Sequence, residues 1–306
     1  MIKKLIFSLI FGIIAYSILL YLIDIETLIE IVKYVDPIII FIAFLFILFS
    51  LFFEFLRWKY YMNSLNIKVD NAKNLLIFLS TLSFGFMPMK SGELLRYYYL
   101  KKEKISISKS IPIHFISNLT TFFVVLLFST PILLVLDKIF LFYAFTTLLI
   151  LFFFSLKYSK KYIKALKYIS TKIKFKKITK LENSLESSKK LLGIKHLVRG
   201  FTYTMIYYVF MFFSVFLVSR SLGINFSPII IFSIYSLSLI IGAISMMPGG
   251  VGVVEGSSLI LLMNYIDNSL AIALIFLIRF LSLWMTTFIG FVALYLLNLK
   301  ETLHKK

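Results

Sequence analysis

Residues 246–255 read Met246, Met247, Pro248, Gly249, Gly250, Val251, Gly252, Val253, Val254, Glu255, and they interrupt an apolar region that otherwise runs from Pro228 to Tyr265. Proline removes a backbone donor and glycine frees the chain to leave the helix, so the stretch predicts a helix break. An unpaired backbone polar group is costly in hydrocarbon, and a break at membrane depth persists only where protein or a water-filled cavity covers it. The stretch therefore marks a site as well as a fold.

The rest of the chain is that of a membrane protein. Sixty per cent of its residues are apolar, the mean hydropathy is +0.95, and several apolar runs approach the ~20 residues that cross a ~30 Å hydrocarbon core. Leu5 to Ile23 follows Lys3 and Lys4 without a small-residue cleavage site, and reads as a retained first helix. Cysteine is absent, which excludes disulfides and thiolate chemistry.

The charge of +19 is distributed as cytoplasmic loops require, and no fold motif supports nucleic acid as the partner. Lys3 and Lys4 place the amino terminus inside, and the acidic loop with Asp24, Glu26, Glu30 and Asp36 lies outside. A second span from Pro37 to about Leu56 returns the chain to Arg57, Lys59, Lys68 and Lys73 inside. The next apolar run, Leu75 to Met87, is short and basic on both flanks, which is the pattern of a re-entrant segment. Ile111 to Leu136 and Ile139 to Leu156 then cross and return.

Residues 157–200 form a basic cytoplasmic loop with fourteen basic residues against Glu182 and Glu186. Two amphipathic helices are expected there, with lysines drawn to anionic lipid. The final third contains Phe201 to Val218, Pro228 to Met246, Val251 to Tyr265 and Leu270 to Leu297, followed by a basic tail that places the carboxyl terminus inside. Parity then requires that the two runs around Pro248 both cross or together re-enter. The expected fold is an all-α polytopic membrane protein, residues 1–306 as one domain, with six to eight spans and one or two re-entrant segments.

Those segments echo each other. Met87, Pro88, Met89, Lys90, Ser91, Gly92, Glu93 and Met247, Pro248, Gly249, Gly250, Val251, Gly252 both place glycine four residues after the proline of a Met-Pro pair, with a carboxylate shortly afterwards, Glu93 and Glu255. Interrupted segments in the two halves of a chain point to a transporter-like site at the interface of an inverted repeat.

Pro88, Gly92, Glu93 and Arg96, with Arg57-Trp58, the Pro-Gly-Gly-x-Gly-x-x-Glu run at 248–255 and Arg279, resemble the transmembrane region of lysylphosphatidylglycerol synthases along essentially the whole chain. In the best-understood members this region resembles a flippase that moves aminoacylated phospholipid between leaflets. A separate cytosolic domain synthesises that lipid, and the chain to Lys306 leaves no room for one. The resemblance thus implies translocation and not lipid aminoacylation. Family members often carry a Glu-Arg pair where this chain has His114, Phe115, Ile116, Ser117, Asn118, so the head group and the coupling do not carry over.

The residues expected to line a lipid path are Lys90, Gly92, Glu93, Arg96, Gly249, Gly250, Gly252, Glu255 and Arg279. Arg279 follows eight apolar or small residues in one span, where arginine costs ~2.5–3.5 kcal/mol, so it needs a partner or a cavity. Glu255 is the nearest obvious carboxylate, and the two form either an architectural pair or two walls of a head-group site. Glu93 and Arg96 share a helix face and form either a boundary pair or a phosphate site. Glu54 and Arg57, beside Trp58, read as a snorkelling pair at the head-group level. His114 and Asn118, four apart, either pack helices or line a pathway. The five aspartates never cluster with a histidine, so neither a metal nor another cofactor is expected.

The function expected is flippase-like movement of an amphipathic lipid with a charged head group across the cell membrane, alone or beside a lipid-modifying enzyme. The alternative is a membrane-embedded transferase or accessory subunit in a lipid-linked glycolipid pathway, which would need a nucleophile, base or metal cluster at one face.

Overall fold

The structure is a computed structural model that describes residues 10, 25–86, 93, 95–157 and 178–303. The expected first span, Lys90, Gly92 and residues 158–177 of the basic segment lie outside the described residues. Among those described there is no strand.

Short α1 (Ile25–Lys33) leads to α2 (Pro37–Ser64), which begins where Asp36 accepts the Ile38 N–H at 2.8 Å and Pro37 supplies a preset first turn. Next come α3 (Asn71–Ser80), the 3₁₀ turn Thr81–Phe84, α4 (Leu95–Lys102), α5 (Ile107–Val135), α6 (Ile139–Lys157) and α7 (Ile178–Leu191). The remainder is α8 (Ile194–Ser221), α9 (Pro228–Ile244), the 3₁₀ turn Pro248–Gly250, α10 (Val253–Leu262), α11 (Asn268–Arg279), a π-helical segment Phe280–Met285, and α12 (Thr286–Leu303).

Four helical stretches among the described residues are long and apolar enough to cross a membrane: α2, α5, α8 and the continuous run Asn268–Leu299. α2 outlasts its expected end at Leu56 because Arg57 and Trp58 are buried by other helices instead of meeting water. The described part of the basic segment is helical, as expected for it. Residues 178–191 are the helix α7, and α8 already starts at Ile194, since Leu197 is buried and Gly200 sits against the Tyr61 ring.

α8 lies along α2, where Phe46, Phe49 and Phe53 gather around Phe210 with ring centroids 5.6, 5.8 and 5.5 Å away. Its other side enters the main core through Tyr208, Phe212 and Val215, shared with α5 and α9. This frame holds two helix–break–helix hairpins.

The first comprises α3, the 3₁₀ turn and α4, with residues 87–92 and 94 between them outside the described residues, and Lys73 at its start is paired with Glu103 just past its end. The second runs from α9 to α10, and Phe226 before it meets Tyr265 after it at 5.9 Å. In each hairpin the two ends therefore lie close together. α10 has ten residues, about 15 Å at 1.5 Å per residue, or half the hydrocarbon thickness.

The two breaks touch. A Cβ on Gly249, whose φ is +62°, would lie 3.1 Å from the Phe86 Cα and 3.3 Å from the Gly85 carbonyl oxygen. Only glycine permits that left-handed turn against backbone. Phe86 in turn meets Trp284 edge-on at 4.9 Å.

Candidate functional site

Beside this junction lies a cavity of about 160 Å³. Its polar lining is Ser50 and Glu54 of α2, Thr81 of the first 3₁₀ turn, Glu93 and Arg96, Tyr207 of α8, and Ser282 and Thr286 around the π segment. Insertion of one residue into a helix re-aims the side chains after it, and such π segments gather at functional sites. Here it follows Arg279 directly and brings Ser282 and Thr286 to the cavity wall.

Arg96 is 5 % exposed and held on three sides. Its guanidinium lies 4.4 Å from the Phe78 ring centroid and 5.0 Å from that of Trp58, and its Nε donates to Thr81 at 3.3 Å. Two aromatic faces lower the cost of a cation in a dry site. Glu93 Oε2 stands 3.6 Å from Arg96 Nη1, a loose ion pair, and 2.9 Å from His114 Nδ1. The Asn118 amide is 3.1 Å from the other imidazole nitrogen. The imidazole is thus held between the Glu93 carboxylate and the Asn118 amide, with donor and acceptor roles set by its tautomer.

Glu54 and Arg57 are buried together, 7 % and 4 % exposed, with a 3.3 Å contact. Snorkelling does not describe them, because α8 and α5 close over the guanidinium instead of head groups. Arg57 Nη1 lies 2.7 Å from Thr204 Oγ1 and 3.0 Å from Thr121 Oγ1, with the Ser117 carbonyl at 3.3 Å. Trp58 is likewise internal, its indole N–H donating to Asn74 Oδ1 at 2.9 Å. Glu54 thus faces the cavity while Arg57 anchors it from behind.

The second motif forms a latch. Glu255 sits at the third position of α10, where one carboxylate oxygen accepts the Gly252 N–H at 2.8 Å and the other accepts from Arg279 Nε at 2.6 Å. Arg279 also donates to the Gly249 carbonyl at 2.9 Å. One guanidinium thereby ties α11 to both the turn and the helix beyond it, satisfying backbone groups that a helix break exposes. Among the described residues, Glu54, Glu93 and Arg96 line the cavity, whereas Gly249, Gly250, Gly252, Glu255 and Arg279 form the latch beside it. His114 and Asn118 connect outward, and Lys90 and Gly92 lie outside the described residues.

The sequence reading missed Ser50, Thr81, Ser282 and Thr286. A signal existed: Ser50, Glu54 and Arg57 recur at helical spacing in an apolar run, as do Arg279, Ser282 and Thr286. Small hydroxyl residues were passed over because they are common between membrane helices.

A second space of about 410 Å³ opens between α5, α8 and α9. Its walls are apolar, among them Phe122, Val125, Leu239 and Ile244, with Asn118 and Thr121 at the polar end. Asn118 therefore borders this groove, Glu93 borders the cavity, and His114 is hydrogen-bonded to both.

Comparison with known families agrees with these features. The family model described as the lysylphosphatidylglycerol synthase TM region matches residues 5–290. No curated protein matches the chain. The chain belongs to the lysylphosphatidylglycerol synthase transmembrane-region family, and is a multi-pass helical membrane protein with a role tied to membrane lipid.

Proposed function

We propose that this protein moves an amphipathic lipid with a charged head group between the leaflets of the cell membrane. The observation that carries this reading is the cavity itself: two carboxylates, a guanidinium and five hydroxyl side chains converge in the interior of an apolar helical bundle. Desolvated charges are expensive in such a place unless paired, and intramembrane ionisable groups are retained mainly for pathways. The apolar groove next to it suits acyl chains, so head group and tail each find matching surroundings.

In this reading the two hairpins are re-entrant and related as an inverted repeat, with the cavity at their interface. Their short arms and mutual contact through Gly249 and Phe86 support that arrangement. Both termini lie in the cytoplasm. The basic segment 157–200 attracts anionic lipid, and a lipid-modifying enzyme supplies or consumes the cargo. The protein itself makes and breaks no bond.

The test is reconstitution into vesicles with a panel of labelled phospholipids, measuring leaflet exchange. The native protein should accelerate exchange of at least one charged lipid, and Arg96→Ala, Glu54→Gln and the cavity-filling Ser282→Leu should each abolish most of that acceleration. Exchange at the native rate in all three variants sinks the proposed path.

A further inference from the structure

Of the arginines in the chain, Arg57, Arg96 and Arg279 each face a carboxylate, and Arg220 donates to Asn225. Arg199, on the first two turns of α8, has no carboxylate, amide or hydroxyl partner among the described residues. What holds it is the face of Tyr60 of α2, whose ring centroid lies 5.1 Å from the guanidinium carbon.

That ring is itself fixed. Its hydroxyl lies 2.7 Å from His196 Nδ1, and the Tyr203 ring stands against it with centroids 6.1 Å apart. Stacking engages the face of a guanidinium and leaves unused the N–H donors, which lie in its plane. A pre-set fork without an acceptor suits an anion of matching shape, and phosphate has that shape.

Lys195 stands one turn before Arg199 on the same helix face. The charges that act on His196, between them in the chain, are all positive: Lys190, Lys195 and Arg199. The acidic residue nearest in sequence, Glu186, lines a separate pocket with Lys109 and Lys190.

The surroundings of the two cations select among anions. Together with Ile194, Val198, Thr202 and Tyr203 they line an open hollow of about 570 Å³. Ile194 and Val198 are 61 % and 53 % exposed, so aliphatic surface stands bare beside the charges, and a small soluble anion has nothing to cover it. Depth points the same way. The apolar run Phe201 to Val218 covers about 27 Å at 1.5 Å per residue, close to the whole hydrocarbon core, which leaves residues 194–200 at head-group level. Side chains lean toward a helix N-terminus, so the cations reach outward and Val198 and Tyr203 lie on the core side of them. A phospholipid places its phosphate and acyl chains in that order.

We propose that the first two turns of α8 bind one anionic phospholipid, its phosphate held by the Arg199 fork and Lys195 and the start of its acyl chains laid against Val198 and Tyr203. The hollow is separate from the central cavity, with which it shares no lining residue. The proposal rests on the reading that the basic segment attracts anionic lipid, and replaces a diffuse attraction by one built site. The two differ in what they recognise. A diffuse field counts charges and treats arginine and lysine alike, whereas a fork stacked on an aromatic ring is not replaced by a point charge.

The test is native mass spectrometry of the full-length protein in detergent micelles, titrated with phosphatidylglycerol or phosphatidylcholine. The native protein should retain one phosphatidylglycerol about tenfold more tightly than phosphatidylcholine, the worth of one charge-assisted contact. Arg199→Lys, an exposed substitution that keeps the charge, should remove most of that preference. Lys189→Gln, which removes an exposed charge of the same segment that does not line the hollow, should change it by less than about twofold, because such charges are largely screened. Phosphatidylglycerol with a photoreactive diazirine at the start of one acyl chain should mark residues 194–203.

An undiminished preference in Arg199→Lys, or an equal loss in Lys189→Gln, overturns the built site and leaves the diffuse attraction standing. Equal retention of the two lipids by the native protein refutes both. Release of bound phosphatidylglycerol by millimolar inorganic phosphate overturns the proposal in favour of a soluble anion, and marking confined to other segments overturns its location.

Discussion

Arg279→Met is the substitution whose cost follows most directly from geometry. It removes the 2.6 Å contact to Glu255 and the 2.9 Å bond to the Gly249 carbonyl while keeping a flexible apolar side chain of similar reach. Glu255, 5 % exposed, is left as a buried charge with its designed cation gone, and breaking a buried pair on one side costs about 3–5 kcal/mol. Adding Glu255→Gln removes the stranded charge, and glutamine still accepts the Gly252 N–H at the helix start. The double variant should therefore be more stable than Arg279→Met alone, with a coupling of roughly 2 kcal/mol or more between the sites.

Reversible unfolding in mixed micelles measures this, with Trp284 in the adjoining π segment as fluorescence reporter. A coupling below about 0.5 kcal/mol, the range in which independent sites simply add, refutes the latch. The same variants separate structure from transport. If the pair is architectural, lipid exchange recovers with stability in the double variant; a stable double variant without exchange shows that the pair contacts cargo.

Gly249→Ala should destabilise more than Gly252→Ala. Both residues have positive φ, worth about 1–2 kcal/mol for a side chain, but a Cβ on Gly249 also presses on Gly85 and Phe86 backbone whereas Gly252 faces open space; equal losses in the unfolding titration contradict the junction. Trp58→Phe should cost about 1–3 kcal/mol by stranding Asn74 Oδ1, read by the same titration, and a neutral result means the indole lies at the lipid interface after all. Arg57→Lys should lose most of the stability lost in Arg57→Ala, since a single ammonium cannot replace a planar fork spread over Glu54, Thr121 and Thr204; full rescue by lysine refutes the network.

Composition and hydrophobic run length made the helical membrane fold legible, because a bilayer admits few alternatives for a chain this apolar. Single-residue arguments were also sound where burial cost is unambiguous: Arg279 was expected to need a partner, and Glu255 is that partner. They failed where cost depends on what lies alongside. Arg57 and Trp58 stood at the end of an apolar run, and only the packing of α5 and α8 turns that position into interior. The sequence alone grouped Glu93, Arg96, Glu255 and Arg279 as one set of polar interruptions.

What the sequence by itself determined is where the helices break and which charges sit too deep to stand alone, since both follow from backbone chemistry and from the price of desolvation. What only the tertiary structure decided is how those charges are shared. The interruption at 246–255 became a latch because Arg279 reaches back to it across two helices. The cavity was assembled from Glu54, Glu93, Arg96 and a π-helical turn far apart in the chain. Proximity between such segments depends on side-chain packing across the bundle, and no local pattern encodes it.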